Sequence, residues 1–237
     1  MTGLQIQKRL SPNHDARPAG QAVDILLLHY TGMESGEAAL ARMCDPAAKV
    51  SAHYCVEEDG RVFRLVGEDR RAWHAGVASW QGAQDINARS LGIEIVNPGH
   101  EFGYRPFPAA QMASVTALAQ GILARHAIPA ARVLGHSDVA PLRKEDPGEL
   151  FDWPGLAAEG IGLWPAPDAP ADDILPADAV RAALTEVGYG FIDKDPAAVI
   201  RAFQRRYRPA AITGEADTET RQRLSALLAL LKENASG

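Results

Sequence analysis

The strongest constraint on the fold is a short apolar run at residues 25–28, ILLL, inside the segment 23–30. The run is far shorter than the roughly 18 residues that a membrane-spanning helix requires. Continuous apolar runs of this length are typical of strands buried on both faces of a sheet. We therefore expect residues 23–30 to form a buried central strand, and we expect no membrane span.

Strand and helix patterns alternate through the following residues. Two β-favouring segments, 54–57 and 61–65, flank Asp59-Gly60 and predict a hairpin. Residues 91–96 predict another buried strand, because they are almost entirely apolar. Further patterns predict a helix at 37–44, a helix that begins near Pro108, and a short strand at 132–135. The fold class is therefore α/β, a mixed central sheet flanked by helices.

A proline-rich stretch divides the chain. Residues 164–173 read WPAPDAPADD, a composition that continues neither a helix nor a central strand. We expect a first domain at 1–165, a linker at 166–173 and a small C-terminal three-helix domain at 174–237. The helices of the second domain are predicted at 176–187, 196–207 and 218–231.

Charge and cysteine content narrow the class of protein. The 24 basic and 30 acidic residues give a net charge of −6, whereas nucleic-acid binding needs a basic surface. Two cysteines, Cys44 and Cys55, are too few for a disulfide scaffold, and we expect both to be reduced. No apolar signal segment occurs in residues 1–9, so we expect a cytoplasmic protein rather than a periplasmic one.

Three residues are candidate metal ligands. His29 lies at the end of the first predicted strand, His136 follows the strand at 132–135, and Asp146 comes ten residues later. Two histidines and one carboxylate form a common catalytic zinc set that leaves a coordination position for water. No local spacing links His29 to the other two, so a core histidine with a satisfied hydrogen bond is the alternative.

Glu94 interrupts an apolar strand between Ile93 and Ile95. A buried carboxylate must be paired, solvated or used in chemistry, because burial of a lone charge is costly. Glu94 therefore either faces solvent or lies on a cleft floor as a general base. Lys144 either stabilises a developing oxyanion or is an ordinary surface lysine. Asp138 either orients His136 or caps a turn.

Six segments, in order over about residues 20–155, resemble the zinc N-acetylmuramoyl-L-alanine amidases of the amidase-2 (AmpD and AmiD) family. They are LHY (28–30), VSAHY (50–54), RAWHAG (71–76), SLGIEI (90–95), GHSDVAP (135–141) and RKEDPG (143–148). Residues 151–153 and 160–165 look like the end of the catalytic domain in the AmiD branch. Residues 202–209 and 214–220 resemble the three-helix peptidoglycan-binding module of that branch.

The resemblance implies a site and an activity. It implies that His29, His136 and Asp146 bind one Zn²⁺ ion, and that Glu94 is the general base. It also implies that Lys144 stabilises the transition state. Substrate contacts are expected from residues that match family positions, namely Trp73, His74, Tyr30 and His53. Some relatives have Tyr before the hairpin-motif His and lack the Glu; here that position is Ala52 and Glu94 is present.

The implied reaction is hydrolysis of the amide between N-acetylmuramic acid, expected in its 1,6-anhydro form, and L-alanine of muropeptides. The expected partner is therefore a muropeptide or peptidoglycan, with no nucleic acid and no obligatory protein partner. A non-catalytic peptidoglycan recognition protein is the alternative. A different peptidoglycan enzyme, either a zinc peptidase or a glycosidase, is a second alternative. A glycosidase, however, needs a second carboxylate beside Glu94.

The C-terminal domain has an arginine-rich segment of its own. Arg201, Arg205, Arg206 and Arg208 either contact acidic muropeptides or form a solvated helix face. For a cytoplasmic protein, the domain could instead pack against the catalytic domain.

Overall fold

The computed structural model describes residues 4–165 and 174–236, and the linker predicted at 166–173 lies outside them. The strands are β1 (Ile6–Lys8), β2 (His14–Ala16), β3 (Ile25–Tyr30), β4 (Tyr54–Val56), β5 (Val62–Arg64), β6 (Arg70–Ala72), β7 (Ser90–Ile95) and β8 (Val133–Gly135). Six of them form the main sheet, in the order β1-β5-β4-β7-β3-β8. Only β4 and β5 pair antiparallel in this sheet, while β2 and β6 form a separate antiparallel pair.

The helices flank this sheet. They are α1 (Gly36–Cys44), α2 (Ile86–Arg89), α3 (Gly99–Phe102), α4 (Ala109–His126), α5 (His136–Val139), α6 (Trp153–Ala158), α7 (Val180–Val187), α8 (Pro196–Tyr207) and α9 (Thr218–Ser236). Local sequence explains the start of α8: the Asp195 side chain accepts a hydrogen bond from the backbone N–H of Ala198, and Pro196 follows it in the first turn.

Strand β3 is buried on both faces, as its apolar run predicts. Leu26 and Leu28 belong to a core that includes α4 residues such as Val115 and Leu118. Ile25 and Leu27 belong to a second core, which they share with the C-terminal helices. The alternation of side chains along a strand thus divides one run between two cores. A third cluster packs α1 against β4 and β5.

The sequence predicted most of these elements. The mixed α/β class, the hairpin, the long helix and the three C-terminal helices are confirmed. Strands β1, β2 and β6 were not predicted, because each has three residues and little apolar character. Both cysteines are free, as expected. Within the described ranges, the helices are too short or too polar to cross a bilayer.

The C-terminal helices pack on the main sheet. Phe203 of α8 and Leu184 of α7 lie in the same core as Ile25 and Leu27 of the sheet. This packing corrects the expectation of one exposed arginine cluster, since Arg205 and Arg206 are buried. Arg208 forms ion pairs within its own domain, with Asp217 and Glu219.

Candidate active site

Three adjacent strands position the candidate site at their carboxyl ends. His29 is the fifth residue of β3, and Glu94 of β7 is its register partner. His136 follows β8 directly and begins α5. In sheets of this kind the carboxyl ends of parallel strands form the ligand crevice. The topology therefore brings together residues that are far apart in the sequence.

The three predicted metal ligands converge on one point. Nδ1 of His29 lies 2.9 Å from Nδ1 of His136, and each of these nitrogens lies 3.0 Å from Oδ2 of Asp146. All three residues are buried, with at most 4% of their surface exposed. They form the one group of potential metal ligands found among the described residues.

The donor chemistry of this group fits a zinc ion. Each histidine uses its other nitrogen elsewhere: Nε2 of His136 donates to the carbonyl of Ala75 at 3.0 Å, and Nε2 of His29 lies 3.1 Å from Nδ1 of His74. The carbonyl can only accept, so it fixes the tautomer of His136 that leaves Nδ1 unprotonated and free to bind a metal, and His74 offers His29 a partner at the corresponding nitrogen. Ligand atoms about 3 Å apart are close to the spacing around a tetrahedral ion with bonds of roughly 2.0 Å.

The electrostatics of the three candidate ligands also favour metal binding. Burial, reinforced by the nearby His136, lowers the pKa of His29 to about 4. Burial alone would raise the pKa of Asp146, but His136 and His29 hold it well below the usual range. At neutral pH the group therefore contains a neutral His29 and a carboxylate, the protonation states that metal binding requires.

Glu94 is the unpaired acid beside this group. Its side chain is partly buried, and the buried Oε2 atom has no hydrogen-bond partner among the described residues. Burial, together with the charge of Asp146, raises the pKa of Glu94 well above its usual value, and Lys144 partly opposes this. Glu94 lines a cleft of about 370 Å³ together with Arg42 and Phe102. A desolvated carboxyl group that faces a cleft is suited to proton transfer.

Lys144 lies in a recess next to this cleft. The recess has a volume of about 240 Å³ and is also lined by Asp146, Tyr30 and His100. The Tyr30 hydroxyl lies 2.9 Å from Nδ1 of His100, so this expected substrate contact does line the site. Trp73, another expected contact, is only partly buried.

Two further expected substrate contacts lie behind the site. His53 is fully buried; its Nδ1 accepts a hydrogen bond from the N–H of Gly92, and its Nε2 lies 3.1 Å from the carbonyl of Arg70. His74 is 6% exposed, and its Nδ1 contacts Nε2 of His29, the ring nitrogen that does not face the other two candidate ligands. Burial leaves a substrate little or no surface at either ring, and the assignment of the two residues as substrate contacts stays a prediction.

Sequence reasoning missed the groups that support the ligands. The Ala75 carbonyl orients His136, and Oδ1 of Asn87 accepts hydrogen bonds from the N–H groups of His74 and Ala75. A backbone carbonyl has no side-chain signature, and Asn87 resembles an ordinary helix residue. The local sequence therefore contained no signal for either group.

This fold and site define the class of protein, a hydrolase with a candidate metal centre at the carboxyl edge of a mixed sheet. Residues 19–149 match the N-acetylmuramoyl-L-alanine amidase family, Amidase_2. The chain belongs to this family and is an N-acetylmuramoyl-L-alanine amidase.

Similar proteins extend the match to almost the whole chain. It is 35% identical to the N-acetylmuramoyl-L-alanine amidase AmiD of Escherichia coli, over 93% of this chain and 87% of AmiD. The structure of that AmiD with the substrate anhydro-N-acetylmuramic acid-L-Ala-D-γ-Glu-L-Lys has a TM-score of 0.78 at 33% identity, covering 94% of this chain and 93% of that one.

Two further relatives support the same family. AmpDH3 of Pseudomonas aeruginosa, in complex with anhydromuramic pentapeptide, has a TM-score of 0.82 at 33% identity, covering 90% of this chain and 94% of that one. The 1,6-anhydro-N-acetylmuramyl-L-alanine amidase AmpD of Enterobacter cloacae is 35% identical over 60% of this chain and 83% of its own length.

Proposed function

We propose that the chain is a zinc amidase that acts on 1,6-anhydro-muropeptides, and that His29, His136 and Asp146 hold the ion. The observation that carries this proposal is the convergence of these three buried ligand atoms beside the unpaired Glu94. The substrate class is supported by relatives whose names or structures specify anhydro-muramyl compounds.

Bound zinc would supply a Lewis acid that polarises the amide carbonyl and makes a water molecule more acidic. Glu94 would accept a proton from the attacking water while the water oxygen forms a bond to the carbonyl carbon. Glu94 would then deliver that proton to the nitrogen of L-alanine as the C–N bond breaks. The raised pKa of Glu94 suits both steps, since such a carboxylate is a stronger base than an exposed one.

The Lys144 ammonium group would stabilise the negative charge that develops on the carbonyl oxygen during attack. Its position in the recess with Asp146 supports this role. Tyr30 lines the same recess, and the partly buried Trp73 follows β6. We propose that these two side chains contact the substrate, and that the enzyme works in the cytoplasm on released muropeptides.

Mass spectrometry of reaction products tests this function. Zinc-loaded protein is offered 1,6-anhydro-N-acetylmuramoyl-tripeptide and its non-anhydro counterpart, each with and without a chelator. We expect chelator-sensitive release of free tripeptide from the anhydro compound. Release from both compounds would mean a broader amidase. Saturable binding with both substrates intact would overturn the proposal and indicate a recognition protein.

A further inference from the structure

We propose that Arg206 and Tyr189 of the C-terminal domain are positioning residues for the metal ligand His136. This inference rests on the proposed function, because it takes His136 as a ligand of zinc. Both side chains act through Asp138, which lies two residues after His136 in α5. The C-terminal helices thereby become part of the catalytic apparatus.

The Asp138 carboxylate is bonded on both oxygens, mainly by the C-terminal domain. Nη1 of Arg206 donates to Oδ2 at 2.7 Å, and the Tyr189 hydroxyl donates to Oδ1 at 2.8 Å. The backbone N–H of Gly135 donates to Oδ2, also at 2.8 Å. Asp138 is 1% exposed, so these bonds replace the water that the carboxylate loses on burial.

The bond from Gly135 connects Asp138 to the ligand. Gly135 ends β8 and immediately precedes His136, so the carboxylate fixes the backbone at the point where His136 leaves the sheet. The N–H of Ser137 donates to the carbonyl of Asp146 at 2.9 Å. The two ligands that follow β8 therefore belong to one hydrogen-bonded unit, and Asp138 lies within it.

Like Asp138, the Arg206 side chain is buried and fixed by several contacts. Its side chain is 4% exposed, donates a second hydrogen bond to the carbonyl of Val133 at 3.0 Å, and lies 3.8 Å over the ring of Trp153. A guanidinium group stacked and bonded in this way has little freedom to move. Removing it would leave the Asp138 charge buried without a cation, and the adjoining backbone would have to rearrange.

The neighbouring arginine contacts the other ligand loop. Arg205 is 9% exposed, and its Nη2 lies 2.8 Å from Oε1 of Glu145, the residue before Asp146. Two consecutive residues of α8 thus reach the segments that carry His136 and Asp146. An interaction with one ligand segment could be accidental packing, whereas contacts with both indicate that α8 sets the ligand geometry.

The test compares three full-length variants: Arg206→Met, Tyr189→Phe and, as a matched control, Arg201→Met. Arg201 lies on the same helix, and its side chain is 42% exposed. Zinc affinity is measured by competition with a chromophoric chelator. The ligand geometry is followed by the visible spectrum of the Co²⁺-substituted protein, and kcat and KM are measured separately.

We expect Arg206→Met to bind zinc about 10–100-fold more weakly, with an altered cobalt spectrum, the range typical for residues that orient a metal ligand. Tyr189→Phe should show a smaller change in the same direction, and Arg201→Met should match the unmodified chain. In Arg206→Met and Tyr189→Phe, kcat should fall with little change in KM, because the substrate contacts remain in place.

Tyr189→Phe removes a single hydroxyl, so it decides the question if Arg206→Met does not fold. Folded variants with unchanged zinc affinity and an unchanged cobalt spectrum would overturn the inference. If the unmodified chain itself binds no zinc, that result overturns the proposed function instead.

Discussion

His29 and Glu94 are register partners on the adjacent parallel strands β3 and β7. Residues opposite each other in a sheet project from the same face, so the candidate ligand and the candidate base lie side by side. Leu28 precedes His29, Ile93 and Ile95 flank Glu94, and all three are apolar and fully buried. The sheet therefore holds the two groups at a fixed separation, and the loops do not have to bring them together.

Glu94→Gln should retain zinc and lose activity. The amide has nearly the same size as the carboxyl group but cannot accept the proton of water, so kcat should fall by about 10²–10⁴-fold. Product release is measured by chromatography with mass detection, and bound zinc is measured by elemental analysis. As a control, His29→Ala should lose both zinc and turnover. Turnover of Glu94→Gln close to that of the unmodified chain would exclude Glu94 as the general base.

Lys144→Met should lower kcat by about 10²–10³-fold, the usual effect of removing a group that stabilises an oxyanion. Zinc content should not change, since Lys144 is not among the converging ligands. Steady-state kinetics with the anhydro-tripeptide provide the measurement. Lys8→Met on the exposed strand β1 is the matched control and should be silent. A change confined to KM would indicate that Lys144 only binds the substrate.

Gly92→Ala should damage the site through His74. A Cβ atom at position 92 would lie 2.7 Å from Nδ1 of the His74 ring, the atom that contacts Nε2 of His29. The ring is buried and cannot move aside freely, so we expect a loss of about 1–3 kcal/mol in stability and weaker zinc binding. Urea unfolding and chelator competition measure the two effects. Gly121→Ala is the control, because its backbone φ also lies outside the left-handed region and its Cβ would meet only the flexible end of Arg125, at 3.0 Å.

His53→Gln should reduce stability rather than substrate binding. Burial lowers the pKa of His53 to about 3, whereas an unfolded histidine titrates near 6.5. Between these pH values the unfolded chain binds the extra proton, so the stability due to neutral His53 is present above pH 6.5 and is lost as the pH falls.

For the zinc-free proteins, we expect His53→Gln to be about 1–3 kcal/mol less stable at pH 7. This difference should shrink toward pH 4, because the folded chain with neutral His53 loses stability as the pH falls. Urea unfolding between pH 4 and pH 7 measures it. A parallel loss at every pH would contradict the role of burial. A raised KM in folded His53→Gln would support the substrate assignment.

The elements that could be predicted are those with a local cause. The apolar run of β3, the Asp59-Gly60 turn and the spacing of apolar residues in α4 each specify structure within a few residues. The candidate ligands are different, because 107 residues separate His29 from His136. The ordered family motifs placed these ligands in one site, whereas local sequence patterns could not.

What could not be predicted depends on tertiary contacts. His53 and Trp73 lie in similar motif segments, but only the structure distinguishes the fully buried ring from the partly exposed one. Arg205 and Arg206 have the sequence character of a solvated face. Their burial follows from the packing of α8 against α5, a contact between segments roughly 70 residues apart.

The core shared by the sheet and the C-terminal helices has a consequence for biosynthesis. Ribosomes release a chain from its N-terminus, and domains generally fold as they emerge. Here the core around Ile25 and Leu27 of β3 stays incomplete until α7 and α8 have been translated, since both helices contribute to it. A nascent chain that stops at residue 165 would expose apolar surface that chaperones and other chains can bind. This core is therefore completed only late in translation, after the C-terminal helices have left the ribosome.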